Sequence, residues 1–458
     1  MEHRSLFDCI RKLPVGNPLW LQDEGRFHVA DYLNAIHRNR DSLTNLTNKR
    51  VALGDLSPLN TAILLALLDG KVASILFLPV EQDMAIQINH LAQCGIDYVI
   101  TDQSSRLFAF PSATSLLFHK GQFDPSIAGD TDSVSSIEQT QWIIPTSGTT
   151  GQPKLIAHTL RSLTRNMATQ YVGDRYVWAM LYGIRRFAGL QVYLQSILSG
   201  TPLIFLDFMQ APSVIMETLA HYGCNALSAT PTLWRQLAMV PGFERLALAQ
   251  MTLGGEIADA TILKVLRTHF PKARITHIYA STEAGFGFSV LDGMEGFPVD
   301  YLDQPPRGVK IRVGDNQHLW LKSDQQLQRM IGDEESLTDA EGWIDTGDLV
   351  EQRGDRYVFL GRASGSINVG GNKVMPEEVE KAVLAVEGVM FAVVKGKKNP
   401  VMGQLVEAYI KIRENGDFEQ IKAQVIDHCK NTLVAYKVPF FIKRLDAPEI
   451  SVVGKLLR

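Results

Sequence analysis

The most apolar window of the chain, Thr61–Leu78 (TAILLALLDGKVASILFL), is broken by Asp69, Gly70 and Lys71. The break predicts a buried helix (TAILLALL) followed by a buried strand (ASILFLPV), because neither half has the roughly 20 apolar residues that span a bilayer. A helical run over Met84–Cys94 and an extended run over Asp97–Thr101 follow, and Trp142, Ile143 and Ile144 read as another short buried strand. Ile156–Tyr171 has a helical pattern, with His158 near its start as a packing or capping residue. Extended runs at Thr201–Leu206, Asn225–Thr230, Gln250–Glu256 and Ile275–Glu283 continue the alternation. Strands alternating with helices argue for parallel βαβ units.

The pattern changes downstream. Residues 310–322 form a small β-rich unit, and Tyr357–Arg362 closes the large region. A glycine-rich bend then leads to a helix over Pro376–Val386, with proline at its start and acidic residues in its first turn. Strands over Val389–Lys395 and Leu405–Ile412, a helix over Phe418–Thr432 and an extended run to Lys443 complete a separate unit. The expected fold class is α/β: a large N-terminal domain of βαβ subdomains plus a β-rich unit over 1–361, and a small mobile α+β C-terminal domain over 362–458. A chain of 458 residues exceeds what one ordinary core serves, which agrees with two domains.

Composition removes some functions. A net charge of -4 gives no electrostatic case for nucleic acid or an anionic membrane. The cysteines Cys9, Cys94, Cys224 and Cys429 lie far apart without CxxC spacing, which suits reduced thiols. The charged opening MEHRSLFDCIRKLP has no apolar run of signal-peptide length, so a cytoplasmic protein is expected.

The candidate chemistry centres on WIIPTSGTTGQPK. Thr146, Ser147, Thr149 and Thr150 surround Gly148 and Gly151, and Lys154 closes the run. Glycines let the backbone approach a ligand closely, and successive N–H groups, hydroxyls and one ammonium make a cradle for a polyphosphate. Pro153 stands where the P-loop of kinases and GTPases needs glycine before its lysine, so this is a different loop. Gly254 and Gly255 at a strand end, followed by Glu256, let a flat ligand lie against bare backbone. Tyr279, Ala280, Ser281, Thr282 and Glu283 deliver a ring, hydroxyl donors and a carboxylate to one rim. Asp348, in GWIDTGDL on a tight turn, suits both hydroxyls of a ribose, since a carboxylate accepts two donors at once.

TSGTTGQPK resembles the signature phosphate loop of the adenylate-forming superfamily: acyl- and aryl-coenzyme A ligases, adenylation enzymes and luciferases. ITHIYASTE is similar to that family's YGxTE motif, with Ala280 in place of the usual glycine. The resemblance covers essentially the whole chain. It implies that Thr146–Gly151, Lys154, Gly254–Glu256, Tyr279–Ser281, Asp348 and Arg362 bind ATP or AMP. It implies that Thr282 meets the α-phosphate, that Glu283 helps hold Mg2+, and that Lys455 in the closing ISVVGKLLR is the catalytic lysine. LYGIRRFAG resembles the family's acyl-pocket turn, with Arg186 where many relatives carry a His followed by small residues, so Arg186, Phe187 and Gly189 fall at the acid pocket. Arg186, or Arg185 beside it, would pair with a polar or anionic substituent of the acid. No aspartate holds an amino group there, which counts against an amino-acid substrate. Relatives place the hinge pivot, an Asp or Lys, where this chain has Ser364, and Gly370, Gly371 and Lys373 fall on the pantetheine side.

The implied reaction is ATP-dependent activation of a carboxylic acid, an aryl or medium acyl acid, to an acyl-adenylate. Transfer to a thiol of coenzyme A or of carrier-protein phosphopantetheine follows. The alternatives are an enzyme that only loads an acyl carrier protein and a non-catalytic nucleotide-binding scaffold. Intact Lys455, Glu283 and Asp348 speak against the scaffold.

Overall fold

The computed structural model describes the chain except residues 1–4, 23–24, 79–82, 105–112, 120, 124–138, 146–153, 165–166, 168–170, 282–284, 307–308, 324–328, 332–337, 452–453 and 458. Ser57 caps the helix Pro58–Leu68 by accepting from the Asn60 N–H, with proline in the first turn. From Thr61 on, every residue of this helix is buried, as an all-apolar surface requires. Asp69 ends it, and the strand Ser74–Phe77 lies buried in the middle of an eight-stranded sheet. Its order is Arg329–Ile331, Leu155–Thr159, Gln141–Pro145, Ser74–Phe77, Arg50–Leu53, Tyr98–Thr101, Thr114–His119 and Gln122–Phe123. The central pairings are parallel, as the alternating pattern predicts.

One segment differs from its sequence reading. Leu155–Thr159 is a strand, and helix occupies only Leu160–Thr164 of the described residues around it. The chain returns antiparallel beside Gln141–Pro145, with Trp142 opposite His158. Ladder bonds on that edge satisfy backbone groups that would otherwise be buried without partners, and this outweighs the local helical spacing. His158 is buried there, its ring 5.6 Å from that of Phe187.

The second eight-stranded sheet contains Gly285–Val290, Arg274–Ser281, Gln250–Gly254, Ala226–Ala229, Trp178–Met180, Leu203–Ile204, Pro18–Gln22 and Gly25–His28. The N-terminal hairpin thus joins a sheet built mostly from later residues, with Trp20 opposite Leu203. One apolar cluster spans both sheets through Trp20, Phe77, Trp142 and Tyr193, so they form one body. A five-stranded antiparallel sheet of Phe297–Pro298, Arg356–Arg362, Ile344–Arg353, His318–Ser323 and Val309–Val313 is the β-rich unit, with its own core around Phe288, Phe297 and Leu319. Beyond Arg362, a hairpin (Ile367–Val369, Asn372–Val374), the helices Pro376–Leu384 and Phe418–Thr432, and the strands Val389–Asn399, Gly403–Ile412 and Phe441–Arg444 enclose a separate core around Val379, Val394 and Val425. No described helix is long and apolar enough to cross a membrane.

Candidate active site

Ligand crevices of α/β sheets open at the C-terminal ends of parallel strands. Trp178–Met180, Ala226–Ala229, Gln250–Gly254 and Arg274–Ser281 run parallel and in step, with Met180 opposite Ser228, Ala229 opposite Leu253 and Gly254 opposite Ile278. Their continuations, Tyr182, Thr230, Glu256 and the end of the Tyr279–Ser281 segment, therefore reach one edge. A cavity of about 1420 Å³ opens there, lined by Tyr182, Glu256, Tyr279 and Ala280 of these and by Pro145, Lys154, Arg186, Asp348, Arg362, Ser364 and Lys455.

The residues expected to form a phosphate loop, Thr146, Ser147, Gly148, Thr149, Thr150 and Gly151, and Thr282 and Glu283 beyond the tyrosine, lie outside the described residues. Their flanks are described: Pro145 and the exposed Lys154 line the cavity on one side, and Tyr279 and Ala280 line it on the other. Ser281 ends its strand, opposite Gly285.

Asp348 lies within the strand Ile344–Arg353, not on the tight turn that its glycine neighbour suggests. Gly347 takes a positive φ of 70°, and the ladder to Arg356–Arg362 shifts register between Leu349 and Val350, so the strand kinks without ending. Pairing along both sides of the kink is what the glycine pattern alone does not convey. The Asp348 carboxylate accepts 2.5 Å from the Tyr279 hydroxyl and 3.1 Å from Arg362 Nε. The Tyr279 ring stacks with Phe288 and with Phe359, with centroids 5.2 and 5.0 Å away. Burial first, and then the Asp348 charge, push the Tyr279 phenol well above its ordinary range, so it stays a donor.

The arginine turn divides into two roles. Arg185 donates through Nη1 to the Gly54 carbonyl, which ties the turn to the first sheet. Arg186 lines the cavity at the head of the helix Phe187–Ser199, and Phe187 lines it beside Arg186. Gly189 is buried and stands outside the lining; a Cβ there would come within 2.2 Å of the Gly183 carbonyl oxygen. Its smallness serves the close approach of helix and turn. Tyr182, which the sequence reading did not single out, donates 3.2 Å to the Gly254 carbonyl and joins this turn to the glycine pair.

The C-terminal segment enters from the other domain. Ile450 packs against the core of the second sheet and bridges to Leu456, so the turn carrying Lys455 is closed on itself. Thr230 Oγ1 donates 2.6 Å to the Gly454 carbonyl, and the Leu456 N–H donates 2.7 Å to Glu256 Oε1. The Lys455 stem then passes over Gly255, where a Cβ would lie 3.4 Å from its Cε. Thr230 also escaped the sequence reading, although Thr230–Pro231 is the signature of a capped helix start. A second interdomain link joins Lys381 Nζ to the Glu295 carboxylate at 2.7 and 2.8 Å. Ser364 sits exposed in the single 3₁₀ turn Ala363–Gly365, between the two cores. Gly370, Gly371 and Lys373 are exposed on the hairpin of the small domain and are not among the cavity-lining residues.

The donor set fits a nucleotide polyphosphate. Cationic Lys154, Lys455, Arg362 and Arg186 share the cavity with the Asp348 carboxylate, and Gly254 and Gly255 add bare backbone to its lining. Among the described residues no group of three or more His, Cys, Asp or Glu side chains is arranged to hold a metal ion; the carboxylate expected to help, Glu283, lies outside them.

The family model for AMP-binding enzymes matches residues 73–325, and the model for the AMP-binding enzyme C-terminal domain matches residues 378–455. A long-chain-fatty-acid–CoA ligase of Mycobacterium tuberculosis is 26% identical over 418 residues, which is 82% of each chain. A 2-succinylbenzoate–CoA ligase of Arabidopsis thaliana is 27% identical over 367 residues, or 68% of this chain and 65% of that one. An anthranilate CoA ligase solved in complex with anthranoyl-AMP superposes with a TM-score of 0.80 at 17% identity, covering 100% of this chain and 96% of that one. An o-succinylbenzoate CoA synthetase from Bacillus subtilis, solved with ATP and magnesium, gives a TM-score of 0.75 at 18% identity over 99% and 98% of the two chains.

Proposed function

The chain belongs to the AMP-binding enzyme family, and we propose that it is an AMP-forming ligase that joins a carboxylic acid to the thiol of coenzyme A. The observation that carries this reading is the docking of Lys455 in the cavity, with the peptide groups on both sides of it held by Thr230 and Glu256. A free carboxylate is a poor acyl donor because its leaving group would be oxide. One carboxylate oxygen instead attacks the α-phosphorus of ATP, the bond to the bridging oxygen breaks, and pyrophosphate departs. Negative charge crowds where the acid meets the triphosphate, and Lys455 lies between them to offset it. Lys154 and the phosphate loop hold the outer phosphates, Asp348 takes the ribose hydroxyls, and Arg362 holds Asp348 in place. Glu283 would help hold Mg2+, which would supply further neutralisation of the triphosphate. Carboxylate and triphosphate repel, so placing them by opposite charge is the main contribution of the site.

In the second half the thiol sulfur attacks the acyl carbonyl carbon, gives up its proton, and AMP leaves. Lys455 must withdraw first. Rotation at Ser364 would carry it away and turn Gly370, Gly371 and Lys373 toward the thiol. Coenzyme A is favoured over a carrier protein because the named relatives are CoA ligases. The acid is an aryl or medium acyl acid, with Arg186 and Phe187 facing its tail.

The experiment is Lys455→Ala assayed in each half separately. The barrier of the pyrophosphate-forming half should rise by about 3–4 kcal/mol, slowing it a few hundredfold, while thioester formation from supplied acyl-adenylate persists. Equal losses in both halves would sink the assignment.

A further inference from the structure

We infer that Glu256 is the positioning residue for Lys455 and makes no contact with the nucleotide, an inference that rests on the catalytic reading of Lys455. The helix Pro231–Ala238 starts beside Glu256. Thr230 caps it by accepting 3.2 Å from the Leu233 N–H, and Glu256 Oε2 accepts 2.9 Å from the Thr232 N–H. A carboxylate at a helix start is favoured by the dipole and by the unpaired first-turn donors, so Glu256 is fixed within the large domain whatever the small domain does. Its other oxygen takes the N–H of Leu456, the residue after the lysine. Both oxygens are thus engaged by main-chain donors.

The lysine is aimed through its own backbone. Thr230 holds the carbonyl of Gly454 and Glu256 holds the N–H of Leu456, so the peptide groups on either side of Lys455 are pinned to neighbouring points of one helix start. Two hydrogen bonds tie Ser451 to Lys455: the Ser451 N–H donates 2.8 Å to the Lys455 carbonyl, and the Lys455 N–H donates 3.1 Å to Ser451 Oγ. Gly454, at φ 74°, fits against Leu233 of the same helix, where a Cβ would lie 3.0 Å from Leu233 Cδ1. The Leu456 bond exists only while the small domain is docked in this orientation. Glu256 therefore acts on the first half of the reaction and not on the second.

Glu256→Gln tests this. The amide keeps an acceptor for Thr232 but sets a donor against the Leu456 N–H. At saturating ATP and acid, the pyrophosphate-forming rate should fall about ten- to a hundredfold, as for a lost hydrogen bond to a charged acceptor. The KM for ATP and thioester formation from supplied acyl-adenylate should each stay within about twofold. Added to Lys455→Ala, Glu256→Gln should cost nothing more, because it acts through a lysine already gone. Glu256→Asp, which retains both oxygens, should recover part of the loss. A raised KM for ATP with rate retained would make Glu256 a nucleotide ligand, and equal losses in both halves would make it a fold residue; either overturns the inference. An intact first half in Lys455→Ala alone would overturn the reading of Lys455 itself. A lost first half there with an intact one in Glu256→Gln overturns only the present inference.

Discussion

Asp348 and Arg362 face each other as register partners on neighbouring antiparallel strands, with Arg362 Nε 3.1 Å from Asp348 Oδ1. The other oxygen of the same carboxylate takes the hydroxyl of Tyr279, which comes from a different sheet. The cavity edge is therefore clamped where the large domain ends and the small domain begins.

Asp348→Ala is expected to weaken ATP chiefly through the ribose, since each hydrogen bond to a charged acceptor contributes about 1.5–3 kcal/mol. The check is a comparison of ATP with 2′-deoxy-ATP in parent and variant. The deoxy penalty should shrink in the variant; an unchanged penalty would leave Asp348 with a purely structural role toward Tyr279 and Arg362.

The Lys381–Glu295 pair should bias the domain orientation seen here. Its side chains are 34% and 13% exposed, so solvent screens it on one side, and its contribution should be about 1 kcal/mol or less. Lys381→Ala is predicted to slow pyrophosphate formation by about two- to fivefold and to leave thioester formation from acyl-adenylate untouched. A cycle with Glu295→Ala checks it: two single losses that simply add would mean that the residues act separately.

Arg186 at the cavity predicts a preference in acids. Arg186→Gln should raise KM about tenfold or more for acids with an anionic or hydrogen-bonding tail, and much less for acids with an apolar tail. A hydroxylamine-trapping screen over a carboxylic-acid panel reads this directly. A uniform change across the panel would count against contact with the tail.

Asp69 gives a pH prediction. Its carboxyl is 4% exposed and accepts from the Leu6 N–H at 2.8 Å and Trp142 Nε1 at 2.9 Å. Burial pushes it up from 3.8 to about 6, against the lowering effect of those two donors. The folded state then holds its proton more tightly than the unfolded chain does. The associated stability is complete below about pH 4 and is lost as pH rises through about 6, a cost of about 3 kcal/mol above that. Urea unfolding of Asp69→Asn and of the parent across pH 4 to 7 isolates this group. The variant should gain on the parent as pH rises; a difference that is flat with pH would mean that Asp69 ionises normally.

The sequence by itself determined the elements whose cause is local. An apolar run broken by Asp69–Lys71 had to become a buried helix and a buried strand, and it does. The alternation of elements determined parallel sheets, and the shift of pattern beyond Tyr357–Arg362 marked the change to a second core. The candidate ligand-binding stretches could be proposed for a related reason: a phosphate cradle or a glycine-bare strand end needs its residue types in consecutive order, and WIIPTSGTTGQPK and QMTLGGE supply them.

Tertiary structure decided what depends on partners distant in the chain. Leu155–Thr159 has helical spacing, yet it became a strand because an open edge lay beside it. Asp348 read as a turn residue, and strand pairing on both sides drew it into a ladder opposite Arg362. Arg185 and Arg186 are adjacent and equal in sequence; only the Gly54 carbonyl, 131 residues away, separates an anchor from a cavity residue. Glu256 and Leu456 are 200 residues apart. Nothing in the local pattern of either can encode their hydrogen bond, because it forms only when one domain's last turn meets the helix start of the other.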